Sequence, residues 1–183
     1  MVRIVGLCGS LRQRSYNMYA LLECQRLLPE GMEMEIASLV DIPMFNQDLC
    51  EAGFPPTVIG LRDKIRTADG VLLVTPEYNF SVPAVLKNAI DWCSRGPDQA
   101  FHEKPVAIVS AATGPLGGAR VQYDLRRILT QLWAHVLPRP EIFIGNAASK
   151  FDEQGRLVDD ATTRLLTEQL NTFRAWAERM RIR

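Results

Sequence analysis

The stretch Cys8-Gly9-Ser10-Leu11-Arg12-Gln13-Arg14-Ser15-Tyr16-Asn17 brings two hydroxyls, two guanidinium groups and the start of a helical pattern together. That combination suits an anion. N–H groups at a helix amino terminus bind phosphate through the positive end of the dipole, and short hydroxyl side chains let its oxygens come close. The plainer reading is that Ser15 or Asn17 caps the helix while Arg12 and Arg14 lie on solvent. A second stretch, Pro76-Glu77-Tyr78-Asn79-Phe80-Ser81-Val82-Pro83, offers backbone amides, an aromatic ring and a side-chain amide, which suit the polar edge and apolar face of a flat heterocycle. A third, Ala112-Thr113-Gly114-Pro115-Leu116-Gly117-Gly118, contains glycines that permit close backbone approach or a simple turn.

The first stretch fits neither common nucleotide fingerprint. It has no G-x-x-x-x-G-K-[ST], and Gly6-x-x-Gly9 is not G-x-G-x-x-G, so a monophosphate is a better match than a dinucleotide. Cys8 followed by Arg14-Ser15 does match the C-x5-R-[ST] spacing of cysteine-dependent phosphatases, whose thiolate attacks phosphorus while an arginine holds the oxygens. Against that reading, the loop lacks the second cysteine and the asparagine of the low-molecular-weight class. No Asp-Pro pair follows downstream to supply the acid.

These stretches need elements to hold them. Val2 to Leu7, Met32 to Ser38, Gly70 to Thr75, Val106 to Ala111 and Glu141 to Ile144 read as strands. Helical patterns begin near Tyr16 and run over about Thr57 to Thr67, Pro83 to Ser94, Ala119 to Ala134 and Asp159 to Met180. The connection from Pro43 to Pro56 is long and irregular, which suggests function or an interface. Alternation of strands and helices predicts an α/β fold, a flavodoxin-like open five-stranded parallel sheet in the order 2-1-3-4-5 with helices on both faces, in a single domain of residues 1–183. In that order a ligand crevice opens between the carboxyl ends of the first and third strands, which is where the first two stretches lie.

Composition narrows the classes. The 183 residues carry 21 Lys+Arg against 21 Asp+Glu, so no basic excess points to nucleic acid. No apolar run reaches the roughly 20 residues of a membrane span, and Met1 to Val5 lacks the apolar centre of a signal peptide. The expectation is a cytoplasmic protein with reduced thiols. The four cysteines form no C-x-x-C pair and the two histidines, His102 and His135, are isolated, so no metal site is expected. Arg120, Arg126 and Arg127 read as a solvated or subunit-contacting helix face.

Taken together, Gly9-Ser10-Leu11-Arg12-x-x-Ser15-x-Asn17, Pro76-Glu77-Tyr78-Asn79-x-Ser81-x-Pro83, Leu86-Lys87-Asn88-Ala89-Ile90-Asp91-Trp92 and Gly117-Gly118-Ala119-Arg120 resemble the NADPH-dependent FMN reductase family, in particular its bacterial quinone and chromate reductase branch. The resemblance covers nearly the whole chain. It implies a noncovalent FMN, with Ser10, Arg12, Ser15, Tyr16 and Asn17 around the phosphate and Pro76, Glu77, Tyr78 and Asn79 at the ring. Ala112, Thr113 and Gly114 complete the surroundings. A serine found in the family at the third loop is Ala112 here, so a contact there must use the main chain. The resemblance further implies an FMN-dependent NAD(P)H oxidoreductase with ping-pong kinetics and no catalytic side chain. NADPH or NADH is the co-substrate, and the acceptor is a quinone, with free flavin, azo compounds and chromate as alternatives. A homodimer or homotetramer is implied as well, with Pro43 to Pro56 and Ala84 to Trp92 as candidate interfaces. An electron-carrier flavodoxin is the other flavin reading, disfavoured because such carriers are strongly acidic and these charges balance.

Overall fold

A computed structural model describes residues 1–180. Strands β1 (Val2–Cys8), β2 (Met32–Ala37), β3 (Gly70–Thr75) and β4 (Pro105–Ala111) pair in parallel in the order β2-β1-β3-β4. The helices are α1 (Tyr16–Arg26), α2 (Gln47–Ala52), α3 (Pro56–Thr67), α4 (Ala84–Cys93), α5 (Ala119–Gln131) and α6 (Asp160–Met180). Strand alternation divides the core. Ile4, Leu72, Val74, Ala107 and Val109 face Leu21 of α1 and Leu166, Leu170 and Phe173 of α6. Val5, Val71, Leu73, Val106 and Ile108 face Ile65 of α3, Ile90 of α4 and Leu125 of α5. β3 and β4 are buried throughout, as expected of strands covered on both sides.

The fifth position completes the expected order 2-1-3-4-5 and is split in two. The strand expected from Glu141 to Ile144 is β6 (Ile142–Ile144), and a two-residue strand, β5 (His135–Val136), precedes it; both pair with β4 in parallel. Between them lie Pro138 and Pro140, which have no N–H to give to a ladder. Side chains bridge the gap. Gln169 Nε2 of α6 donates to the Ile108 carbonyl at 3.1 Å and the Pro140 carbonyl at 2.9 Å. Arg126 of α5 donates to the Leu137 carbonyl at 2.9 Å.

The Pro43 to Pro56 connection differs from the expectation, because it contains α2, none of whose residues is buried. It is strapped to α4. Asn88 Nδ2 and Trp92 Nε1 both donate to the Pro43 carbonyl, Asn88 Oδ1 accepts from Phe45 N at 2.7 Å, and the rings of Phe45 and Phe54 meet Trp92 edge-on. The Asn88 and Trp92 side chains of α4 are therefore covered by the chain itself, which moves any interface there to the outside of the strap.

Candidate active site

Where β1, β3 and β4 end, the first loop (residues 9–15), the second (76–82) and the third (112–118) converge on a cleft of about 200 Å³. Its wall includes Ser10, Arg12, Ser15, Tyr16, Asn17, Pro76, Glu77, Tyr78, Ala112 and Thr113, all expected from the sequence, together with Ala111. Asn79 and Gly114 sit off the wall. Asn79 is in the exposed turn beyond it, and the Gly114 carbonyl accepts from Asn146 N and Gly117 N. Larger grooves, of about 340 and 360 Å³, lie at the amino-terminal end of the strands, away from these loops.

The three loops are tied in pairs. Gly9 N donates to the Val74 carbonyl at 2.8 Å, and a Cβ at Gly9 would collide with the buried Thr75 Oγ1, so only glycine lets the first loop close on the second. Asn17 joins the first loop to the third. β3 makes its last pairing at Thr75 with Ser110. Ala112 N turns to the Ile144 carbonyl, and strand alternation then turns the N–H and C=O of Ala111 to the β3 side, where no further residue pairs. The Asn17 amide replaces the missing peptide, donating to the Ala111 carbonyl and accepting from its N–H, each at 2.9 Å.

Ser15 is the N-cap of α1, its Oγ accepting from Asn17 N at 3.3 Å and Met18 N at 3.4 Å, and its hydroxyl also hydrogen-bonds the Cys8 thiol. Arg12 is exposed and lies over the Tyr16 ring at 5.5 Å, while Tyr16 stacks on Phe151. Arg14 departs from the cluster. Its guanidinium reaches the Glu153 carbonyl at 3.3 Å, outside the cleft. Cys8 is buried, and burial pushes its thiol above the ordinary range. A phosphatase needs the reverse of both features, a lowered thiol and an arginine aimed at the phosphate. The cysteine-phosphatase reading is excluded on this geometry.

In the second loop Tyr78 and Ser81 exchange two backbone hydrogen bonds around Asn79 and Phe80, whose φ values are 48° and 69°. Phenylalanine in the left-handed region is strained by roughly 1 kcal/mol or more, and such strain concentrates at functional sites. Glu77 reaches across to α5. Its Oε2 accepts from Arg120 N at 3.0 Å and Val121 N at 3.2 Å, and its Oε1 pairs with the Arg120 guanidinium at 3.0 Å. Gly118, the N-cap residue of α5, has no side chain to offer and a φ of 81°, so Glu77 caps the helix from another loop. Arg120 also lies over the Phe80 ring at 3.9 Å, and Ser81 Oγ donates to Asp124 at 2.6 Å. Arg120 is exposed, as expected of a solvated helix face, and is held against the second loop by Glu77 and Phe80. No local signal pairs it with Glu77, since they lie on separate loops far apart in the chain.

The residues fit an FMN. Hydroxyls of Ser10 and Ser15 and a helix amino terminus stand at one end, main-chain groups and Tyr78 at the other, and the wall's acidic residue, Glu77, directs its carboxylate onto α5.

A family model for NADPH-dependent FMN reductases matches residues 2–149. The chain belongs to that family. Membership makes the protein a nicotinamide-dependent FMN oxidoreductase. Within the family, it is 48% identical over 180 residues to an NAD(P)H-dependent FMN reductase of Pseudomonas aeruginosa, covering 98% of this chain and 97% of the relative. It is 46% identical to a quinone reductase of Escherichia coli over 184 residues, covering 99% and 98%. Among solved structures, the flavoenzyme NAD(P)H:(acceptor) oxidoreductase of Paracoccus denitrificans superposes with a TM-score of 0.90 at 32% identity, covering 98% of this chain and 99% of the other. No described helix of this FMN reductase family member is long and apolar enough to cross a membrane.

Proposed function

We propose that this chain, acting as one domain of 183 residues, is an NAD(P)H:quinone oxidoreductase whose FMN lies in the three-loop cleft. The observation that carries this reading is the convergence of loops from β1, β3 and β4 on one cleft, at the position where strand order reverses. Ser10 and Ser15 donate hydroxyl protons to the phosphate, the amides opening α1 face it, and Arg12 neutralises it from the solvent side. The Asn17 amide is already engaged at both ends with Ala111, so Asn17 holds the loops together and supplies the site with its main chain. Main-chain groups of Pro76 to Tyr78 and of Ala112 and Thr113 border the ring, with Tyr78 as an apolar wall and Asn79 and Gly114 off the wall.

FMN held in this cleft would supply the redox chemistry, a hydride acceptor for reduced nicotinamide and an electron donor for an oxidised acceptor. No side chain is needed as acid or base. The cleft walls would orient the group and cover part of it, leaving its open side as the mouth for substrates. Two substrates sharing that mouth use it in turn, which is read as parallel lines in double-reciprocal plots. The relatives named as quinone reductases support a quinone as the acceptor. Exposed Leu11, Tyr78, Phe80, Leu116 and Tyr123 support a homodimer or homotetramer packed near that mouth, and the balanced charge speaks against a nucleic-acid partner.

The test is an absorption spectrum of the protein after FMN addition and desalting, followed by anaerobic NADPH or NADH and then a quinone. Retained flavin that bleaches and is reoxidised by the quinone is expected. Retained flavin unresponsive to both nicotinamides would favour an electron carrier, and an active, flavin-loaded monomer in sedimentation would remove the oligomer.

A further inference from the structure

Resting on the placement of FMN in this cleft, we propose that Glu77 is a positioning residue that sets the reduction potential of the bound flavin by neutralising the positive end of α5 at the cleft wall. Glu77 lines the cleft, yet its carboxylate is directed away along the wall, onto the first amides of α5 and the Arg120 guanidinium. Its side chain is only 12% exposed, so its charge is poorly screened. The start of α5 contributes about half a positive charge and Arg120 a full one, against the single negative charge of Glu77. With Glu77 in place the wall keeps about half a positive charge, and without it about one and a half.

Flavin gains negative charge on reduction, so a wall made more positive by loss of the carboxylate favours the reduced state and raises the potential. Two further contacts, Arg120 over Phe80 and Ser81 to Asp124, keep the second loop against α5 when the charge alone is removed. Charge and position can therefore be separated. Glu77→Gln keeps an acceptor oxygen for the helix amides and loses the charge, whereas Glu77→Ala loses both.

The experiment loads wild type, Glu77→Gln, Glu77→Ala and Arg120→Gln with FMN and measures midpoint potential by dye equilibrium, FMN affinity by fluorescence and melting of each apoprotein. In Glu77→Gln, reduced FMN is expected to gain about tenfold over oxidised FMN, an upward shift of about 30 mV for a two-electron couple. Arg120→Gln, which removes the opposite charge from an exposed side chain, shifts the potential downwards. Glu77→Ala lowers FMN affinity and apoprotein melting together. Unchanged potentials in both Glu77→Gln and Arg120→Gln, with melting alone affected, would leave Glu77 as a helix cap and overturn the proposal. Failure of the wild type to retain FMN has a different signature and removes the cleft assignment, with the proposal, instead.

Discussion

Asn17→Ala is the sharpest perturbation the site offers. The Asn17 amide is buried and makes two 2.9 Å hydrogen bonds to Ala111, standing in for the next residue of β3. Truncation leaves the Ala111 N–H and C=O unpaired, and a buried polar group left without a partner costs about 1–3 kcal/mol. Water entering from the adjacent cleft offsets part of that, so a net loss of about 3 kcal/mol is expected for the pair. For a chain of this size the loss reads as roughly 6–12 °C in melting temperature. The first and third loops are then no longer tied, so FMN affinity falls by more than tenfold. Thermal melting of the apoprotein and a fluorescence titration with FMN measure the two effects separately. Melting within about 2 °C of wild type, with unchanged FMN affinity, would refute the argument that this amide closes the seam between the loops.

Other expectations follow from the same geometry. Gly9→Ala drives a methyl group into buried Thr75 and should cost about 2 kcal/mol and FMN retention, read by urea unfolding and by the flavin-to-protein absorbance ratio after desalting. Phe80→Gly relieves left-handed strain at an exposed turn while losing the stack on Arg120, so the apoprotein gains about 0.5 kcal/mol if strain outweighs the cation–π contact. A stability loss above 1 kcal/mol in urea would show the stack to dominate. Burial pushes the Cys24 and Cys93 thiols up to about 12. Above about pH 9 the unfolded chain therefore releases protons that the folded chain keeps, and stability falls by about 1.4 kcal/mol per pH unit for each thiol. A Cys24→Ala, Cys93→Ala double variant should show a flatter decline between pH 9 and 11 in denaturant titrations, and an unchanged slope would contradict the burial argument.

Much of the fold was legible because its signals are local. The β-branched runs of β3 and β4, the turn at Gly9-Ser10 and the apolar faces of α1 and α6 each sit within a short window. The fifth strand was legible as Ile142 to Ile144, but the two-residue β5 ahead of it was not, because so short a segment has no pattern of its own and its pairing depends on how the chain through Pro138 and Pro140 meets β4. α2 was passed over for a different reason. A six-residue helix with no buried face has no periodic pattern to reveal it.

For the site, residue types and their placement after strand ends determined which loops converge and what chemistry they suit. Ser10, Ser15 and the start of α1 have the groups that suit an anion, and the joint motifs resemble the family whose model matches the chain. What tertiary structure decided is how each side chain is used. Asn17 closes a sheet rather than offering its amide to a ligand, Arg14 turns outwards, burial raises the Cys8 thiol, and Glu77 caps α5 with Arg120 beside it. The physical reason is range. Propensity and patterning act over a few residues, whereas an unpaired strand group or a bare helix terminus finds its partner only through the packed fold, at sequence separations that carry no local signal.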